Sequence, residues 1–178
     1  MAELDERSDA RRASFARLAL AASVALFGAL SVWLLIAGPP EVIGHFSANN
    51  GEPRFDPTPQ FVAIMAVLVA FLVAMFASLG WLIRRAPIGV INIPNREQWN
   101  TPARRAILAR RMGADLTLMG AASVLLVVGM MVLSTLGGLG EEPPGWVFIA
   151  MMGVFLAVIA AITLGMLGKR YDPSTLPA

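Results

Sequence analysis

The chain has 178 residues, of which 57% are hydrophobic and 15% charged, with a formal net charge of +2 and a mean hydropathy of +0.68. This composition excludes an ordinary soluble domain, and the length leaves no room for a folded soluble domain beside a membrane bundle. The absence of cysteine excludes disulfides and thiol chemistry, and the single histidine, His45, excludes metal motifs built from histidine pairs.

Four apolar runs without a charged residue predict four transmembrane helices. Each run is long enough to cross about 30 Å of hydrocarbon as an α-helix at about 1.5 Å per residue. A β-barrel is not predicted, because the apolar residues run continuously and do not alternate with polar ones. The runs cover residues 18–36, 61–83, 116–136 and 146–167. The expected fold class is an all-α, four-helix transmembrane bundle that forms a single membrane domain over residues 1–178.

The basic residues alternate between the two sides of the predicted membrane. The N-terminal tail, the inner loop (residues 84–115) and the C-terminal tail hold 13 of the 14 Lys and Arg residues. The outer loop (residues 38–60) holds only Arg54, and residues 137–145 hold none. The positive-inside rule therefore predicts that both termini and the inner loop are cytoplasmic. The sequence pI near 9.9 reflects this orientation and does not indicate a nucleic-acid partner.

The sequence also predicts how the first run, the two tails and the aromatic residues at the ends of the runs are placed. The first run is long for a signal peptide and no clean cleavage site follows it, so a retained signal-anchor helix is expected. Residues 1–14 and 172–178 are expected to be mobile tails. Four aromatic residues lie at the ends of the runs, where aromatic rings favour the membrane interface. They are Trp33 and Trp146 on the outer side, and Trp81 and Tyr171 on the inner side.

The outer loop is rich in turn-forming residues and predicts a short, ordered cap without a long element. Its candidate binding residues are His45, Phe46, Gly51 and Pro53. His45 could join Glu41, Glu52 or Asp56 around a metal, but one imidazole with carboxylates is a thin donor set, and no metal is predicted. His45 is instead expected to fix the loop by hydrogen bonding, and it could titrate near neutral pH.

Stripes of small residues spaced four apart predict close helix packing, because helix association in lipid depends on small side chains. They are Gly153, Ala157, Ala161 and Gly165 in the fourth run, and Ala66, Ala70, Ala74 and Ser78 in the second. The alternative is that alanine and glycine are simply common here, and a partner helix in the same chain or in another is left open. The only polar groups inside the runs are hydroxyls, which are expected to bond back to their own helices.

The inner loop contains a helix start at Thr101-Pro102, with Thr as the N-cap and Pro in the first turn. The helix is predicted to run from Pro102 into the third span. Its apolar and basic sides are typical of a segment that lies along anionic headgroups before the chain turns inward. The alternative is a solvated stop-transfer cluster that needs no ligand. Candidate binding residues are Asn92, Pro94, Asn95, Arg96, Trp99, Arg104 and Arg105.

The segment from Ile91 to Trp99, followed by Pro102 and Arg104-Arg105, resembles a motif of an uncharacterised bacterial membrane family, domain of unknown function sixteen forty-eight. That family is related to the Sdp-type toxin-immunity membrane proteins. In the outer loop, His45-Phe46 and Gly51-Glu52-Pro53 resemble its His-Phe pair and Gly-x-Pro step, with one extra residue between them and Phe55 in place of Trp. The resemblance covers about residues 15–136 and implies a bacterial inner-membrane protein whose relatives confer immunity to a secreted toxin.

The sequence contains no recognisable catalytic motif, whether a phosphate-binding loop, a nucleophile elbow, a zinc-protease helix or a dinucleotide turn. We therefore expect a non-catalytic protein without a cofactor, of the binding, sensing or toxin-immunity type. Its expected partners are anionic lipid headgroups at the inner loop and another protein or a second copy. The alternative is a structural or accessory subunit of a larger membrane complex. A small transporter or channel ranks third, because no ionisable residue lies in a run.

Overall fold

A computed structural model of the chain shows four α-helices and one short β-hairpin. It describes residues 2–45, 53–91, 93, 95–141, 143–168 and 171–172, without the side chains of residues 2–6 and 45. The helices are α1 (Ala2–Ala37), α2 (Thr58–Arg85), α3 (Pro102–Gly138) and α4 (Gly145–Leu167), and the strands are β1 (Glu41–His45) and β2 (Arg54–Pro57). All four helices are long and apolar enough to cross a membrane, so the predicted all-α, four-helix architecture is confirmed.

The bundle has two chemically different ends. At one end of the bundle, α1 and α3 begin and α2 and α4 end, and we call it the basic end because most of the arginines lie there by sequence position. The strands β1 and β2 lie at the other end, which we call the hairpin end. α1 and α3 have 36 and 37 residues, which at about 1.5 Å per residue makes each about 55 Å long. Both therefore extend well past about 30 Å of hydrocarbon, and the extra length lies at the basic end.

The helix start predicted at Thr101-Pro102 is confirmed. The Thr101 side chain accepts a hydrogen bond from the backbone nitrogen of Arg104, and Pro102 occupies the first turn. From there α3 continues without a break into the third apolar run.

α3 is the central helix of the bundle and packs against α1, α2 and α4. Phe27 and Leu34 of α1 and Val69 of α2 are buried against Val124 and Met131 of α3. Apolar burial alone does little for helix association in lipid, so close fits matter more. Two glycines of α3 supply these close fits, because a large side chain of a neighbouring helix lies over each. A Cβ at Gly120 would come within 3.1 Å of the Phe76 ring, and one at Gly129 within 2.4 Å of the Met151 sulfur.

The small-residue stripes predicted for helix packing do not pack within the chain. Ala66, Ala70, Ala74 and Ser78 of α2, and Gly153, Ala157, Ala161 and Gly165 of α4, are all exposed. A Cβ added at Gly153 or Gly165 would meet no atom within 4 Å. Inside this chain the tight contacts are made by small residues of α3, to which the neighbouring helices present larger side chains, and packing of the two stripes against another chain stays a prediction.

Several hydroxyls in the spans bond back to their own helices, as predicted, whereas the buried Ser31 hydroxyl finds no partner among the described residues. Thr117, Ser123 and Thr163 each donate to the carbonyl four residues earlier, at 2.7–2.9 Å. Ser78 donates to the Met75 carbonyl at 2.8 Å. These bonds satisfy the hydroxyls without any partner from a neighbouring helix.

The outer loop forms an antiparallel hairpin that packs on the end of α3. Val42 and Ile43 are buried, and a register shift between Ile43 and His45 places Gly44 beside Asp56. The hairpin lies so close to α3 that a Cβ at Gly138 would come within 2.4 Å of the Glu41 carbonyl oxygen. The short ordered cap predicted for this loop is confirmed in its described part.

Candidate functional site at the basic end of the bundle

Two ion pairs join the extensions of α1 and α3: Asp9–Arg111 is buried, whereas in Arg12–Asp115 the arginine side chain is 39% exposed. Asp9 and Arg12 lie three residues apart on α1, and Arg111 and Asp115 lie four apart on α3, so each pair of residues shares a helix face. Arg111 Nε lies 2.7 Å from Asp9 Oδ2, and Arg12 Nε lies 2.8 Å from Asp115 Oδ1. The helices run in the same direction, and the acids and bases alternate, so both contacts are attractive. This arrangement fixes the register of α1 against α3.

The carboxylates of this cluster are withdrawn from water. Asp9 and Arg111 are each 5% exposed and Asp115 is 1% exposed. The hydroxyl of Tyr171 donates to Asp115 Oδ2 at 2.6 Å, which ties the segment after α4 to the same aspartate. Removing one partner of a buried ion pair typically costs about 3–5 kcal/mol, because the other charge stays buried. The cluster therefore joins three distant parts of the chain, and we call it the α1–α3 lock.

The lock overturns two expectations. Residues 7–14 belong to helix α1, and Asp9 is buried, so this part of the predicted mobile tail is ordered. Tyr171 was expected among the interfacial aromatic residues, but it is fully buried. Both errors have one cause, since a tail acquires structure when its charges find partners in a segment that is remote in sequence.

The connection between α2 and α3 (residues 86–101) folds over a small apolar cluster beside the lock. Its centre is Trp99, which is fully buried together with Leu108, Tyr171, Ala86 and Ile91. Asn95 takes the left-handed conformation with φ of 53°, which Asn tolerates better than most residues, and a short 3-10 helix then leads to Trp99. The Trp99 indole nitrogen is buried and finds no acceptor among the described residues.

Arginine side chains donate hydrogen bonds to backbone carbonyls of this connection. Arg104 donates from Nη1 to the Gln98 carbonyl at 3.1 Å, and Arg105 donates from Nη2 to the Ala86 carbonyl. Arg96 is exposed and reaches the Gly89 carbonyl at 3.4 Å. The contacts of Arg104 and Arg105 place these two residues as anchors of the connection, while Asn95 and Arg96 remain at its surface.

The sequence predicted that the segment beginning at Pro102 lies along the membrane surface before the chain turns inward, and this prediction is wrong. α3 continues straight through it, Leu108 is 1% exposed, and Arg111 is buried against α1. The apolar side of the segment therefore faces protein. Packing against α1 and the α2–α3 connection buries Leu108, which the amphipathic pattern alone had placed on a lipid-facing side.

The structure does not bring the two groups of predicted site residues together. Of the outer-loop residues, His45 and Pro53 lie at the hairpin end, where the His45 backbone pairs with Arg54 and Pro53 is partly buried. Of the inner-loop residues, Asn95, Arg96, Trp99, Arg104 and Arg105 lie at the basic end. Four predicted residues fall outside the described residues, namely Phe46, Gly51, Asn92 and Pro94.

The lock itself is what sequence reasoning missed. The signal was present as an aspartate, Asp115, at the border of an apolar run, four residues after Arg111 and matched by Asp9 and Arg12 on the tail. Spacing within each segment indicates a shared face, but it does not indicate which face meets which. Among the residues that the structure describes, no group of three or more His, Cys, Asp or Glu side chains could hold a metal ion.

No family model, no curated protein and no solved structure matches the chain. The function must therefore be argued from the residues and their arrangement.

Proposed function

We propose that the chain is a non-catalytic, multi-pass protein of the bacterial inner membrane that binds a partner through its loops, as a sensing or toxin-immunity protein does. Both termini and the α2–α3 connection face the cytoplasm in this proposal. The distribution of the arginines supports the orientation, since 13 of 14 basic residues belong to the basic end by sequence position.

The observation that supports the binding role is that the α2–α3 connection is held in one conformation by buried and hydrogen-bonded residues. Trp99 is fully buried beneath it, and Arg104 and Arg105 fasten its carbonyls, while the side chains of Asn95, Arg96, Glu97 and Gln98 are exposed. A loop whose backbone is fixed by buried contacts and whose exposed side chains are polar is suited to recognition. Little conformational entropy is lost when such a loop binds a partner. The resemblance of this segment to the immunity-related family supports the same role.

Native mass spectrometry after gentle extraction from the source membrane tests the proposal. We expect a lone chain or a homodimer that carries a bound peptide or other small factor. The Arg96→Ala variant should lose that factor, while Arg54→Ala, at the opposite end of the bundle, should retain it. Retention of the factor by Arg96→Ala would contradict a binding role for the connection.

A second candidate function is supported by α4. Among the described elements, α4 packs against α3, and none of its residues is buried. Its stripe of small residues from Gly153 to Gly165 faces away from the bundle, which suits a helix of another chain. This arrangement favours an accessory subunit of a larger complex. A stoichiometric membrane-protein partner in the same mass spectra, lost in Gly153→Ile, would support this alternative.

A further inference from the structure

A groove between the basic ends of α1, α2 and α3 carries arginines above a floor of small and apolar residues. It has two lobes of about 580 and 450 Å³, which share Arg84, Ala109 and Arg110 and so form one depression. Arg17 of α1 and Arg105 of α3 also line it. The described residues that line the groove include no acid, and three arginines from three helices, Arg17, Arg84 and Arg110, line the same lobe.

The groove crosses the border of the apolar runs. Arg17 immediately precedes the first run and Arg84 immediately follows the second, which places both at the level of lipid headgroups. The lobe that Arg17 lines also includes Phe76, Gly80 and Thr117, which lie inside the runs. A ligand that fills the groove therefore needs an anionic head and an apolar body.

Two of the arginines, Arg17 and Arg84, make few or only long hydrogen bonds with the described part of the protein. Arg17 reaches only its own helix, with contacts of 3.3 Å to the Ala13 carbonyl and 3.5 Å to Ser14 Oγ. Arg84 makes no hydrogen bond or ion pair with the described part of the chain. Guanidinium groups bind phosphate oxygens in a bidentate manner, and basic pockets between transmembrane helices suit phospholipid heads.

We propose that this groove binds one acidic phospholipid, with the phosphate among Arg17, Arg84 and Arg110, which line the same lobe, and an acyl chain along Phe76 and Gly80. The site is distinct from the surface of the α2–α3 connection and does not depend on the partner proposed there. It also differs from a general attraction to anionic headgroups, because it requires a shaped floor and particular arginines.

Glycines in the groove wall allow a direct test of occupancy. A Cβ added at Gly80 or Gly113 would meet no atom within 4 Å, so a larger side chain there enters the groove without a clash. Gly28 on α1 is equally open and lies outside the groove, which makes it a matched control. Arg85 is the matched control for Arg84, because it stacks 4.4 Å above the Trp81 ring and does not line the groove.

The experiment is native mass spectrometry of the purified full chain in neutral detergent, titrated with phosphatidylglycerol or phosphatidylcholine. We expect one phosphatidylglycerol per chain and clearly weaker binding of phosphatidylcholine. Arg84→Gln should weaken phosphatidylglycerol binding by about five-fold and Arg17→Gln with Arg84→Gln by about 25-fold, at about 1 kcal/mol per charge. Arg85→Gln should leave binding unchanged. Gly113→Phe should block the site, and Gly28→Phe should not.

Three results would overturn the proposal. Equal retention of the two lipids would show that the head is not recognised, and equal effects of Arg84→Gln and Arg85→Gln would show that the groove is not the site. Displacement of phosphatidylglycerol from the unaltered chain by excess inorganic phosphate would identify a site for a soluble anion. Circular dichroism verifies the fold of each variant, and the phosphate competition decides the matter even if Gly113→Phe does not fold.

Discussion

The α1–α3 lock makes a quantitative prediction for the Asp9–Arg111 pair. Unit charges 2.7 Å apart attract by about 6 kcal/mol at an effective dielectric constant of about 20. Desolvation of two groups that are each 5% exposed offsets part of this attraction. We therefore expect a coupling energy of about 3 kcal/mol in a double-mutant cycle of Asp9→Asn and Arg111→Gln.

The chain contains its own control for this cycle. Arg54 and Asp56 lie at nearly the same distance, 2.9 Å, but their side chains are 71% and 16% exposed. Exposed pairs contribute little, so Arg54→Gln with Asp56→Asn should give a coupling below about 1 kcal/mol. Unfolding by sodium dodecyl sulfate in mixed micelles, followed by the fluorescence of the four tryptophans, supplies the free energies. Equal couplings for the two pairs would refute the argument that burial makes the lock strong.

Three further predictions concern other parts of the molecule. Tyr171→Phe should lower the free energy of unfolding by about 1.5–3 kcal/mol, because a hydrogen bond to a buried carboxylate is lost, and an unchanged unfolding midpoint would disprove this. Gly138→Ala should destabilise the chain by about 1–3 kcal/mol by displacing the hairpin, whereas Gly145→Ala, which meets no neighbouring atom, should be nearly neutral in the same assay. Because the chain has no cysteine, single-cysteine labelling can test the orientation. In intact cells an impermeant maleimide should label Phe55→Cys but not Gln98→Cys, and the reverse pattern would invert the proposed topology.

Local patterns in the sequence were sufficient for the helices. An uncharged run of about 20 residues has one stable form in lipid, since each backbone group must be satisfied within the segment. The N-cap at Thr101 is equally local, because the side chain and the nitrogen that it caps are three residues apart. These features were predictable because the interactions that decide them lie within one turn of helix or within one run.

Contacts between remote segments were not predictable in this way. The stripes of α2 and α4 and the isolated glycines of α3 are all consistent with close packing, and only the assembled bundle distinguishes them. Gly120 and Gly129 lie at helix contacts because Phe76 and Met151 face them. Likewise, Arg111 reads as one more cytoplasmic charge until Asp9, 102 residues earlier, is placed beside it.

The arginines at the start of α3 serve two purposes. Their number sets the orientation of the chain in the membrane, and their position on the helix sets which groups they contact. The positive-inside rule depends on their number near the membrane, and any of them serves it equally. Helix periodicity then separates them, because residues 104, 108, 111 and 115 recur on one face and residues 102, 105, 106, 109, 110 and 113 on the other. The first face meets α1 and the α2–α3 connection, where Arg111 pairs with Asp9 and Arg104 binds a carbonyl. The second lines the groove, and its Arg105 also donates to the Ala86 carbonyl of the connection. Exchanging arginine for lysine along this segment should therefore preserve the orientation of the chain and still damage the lock and the groove, since both depend on the shape of the guanidinium and not only on its charge.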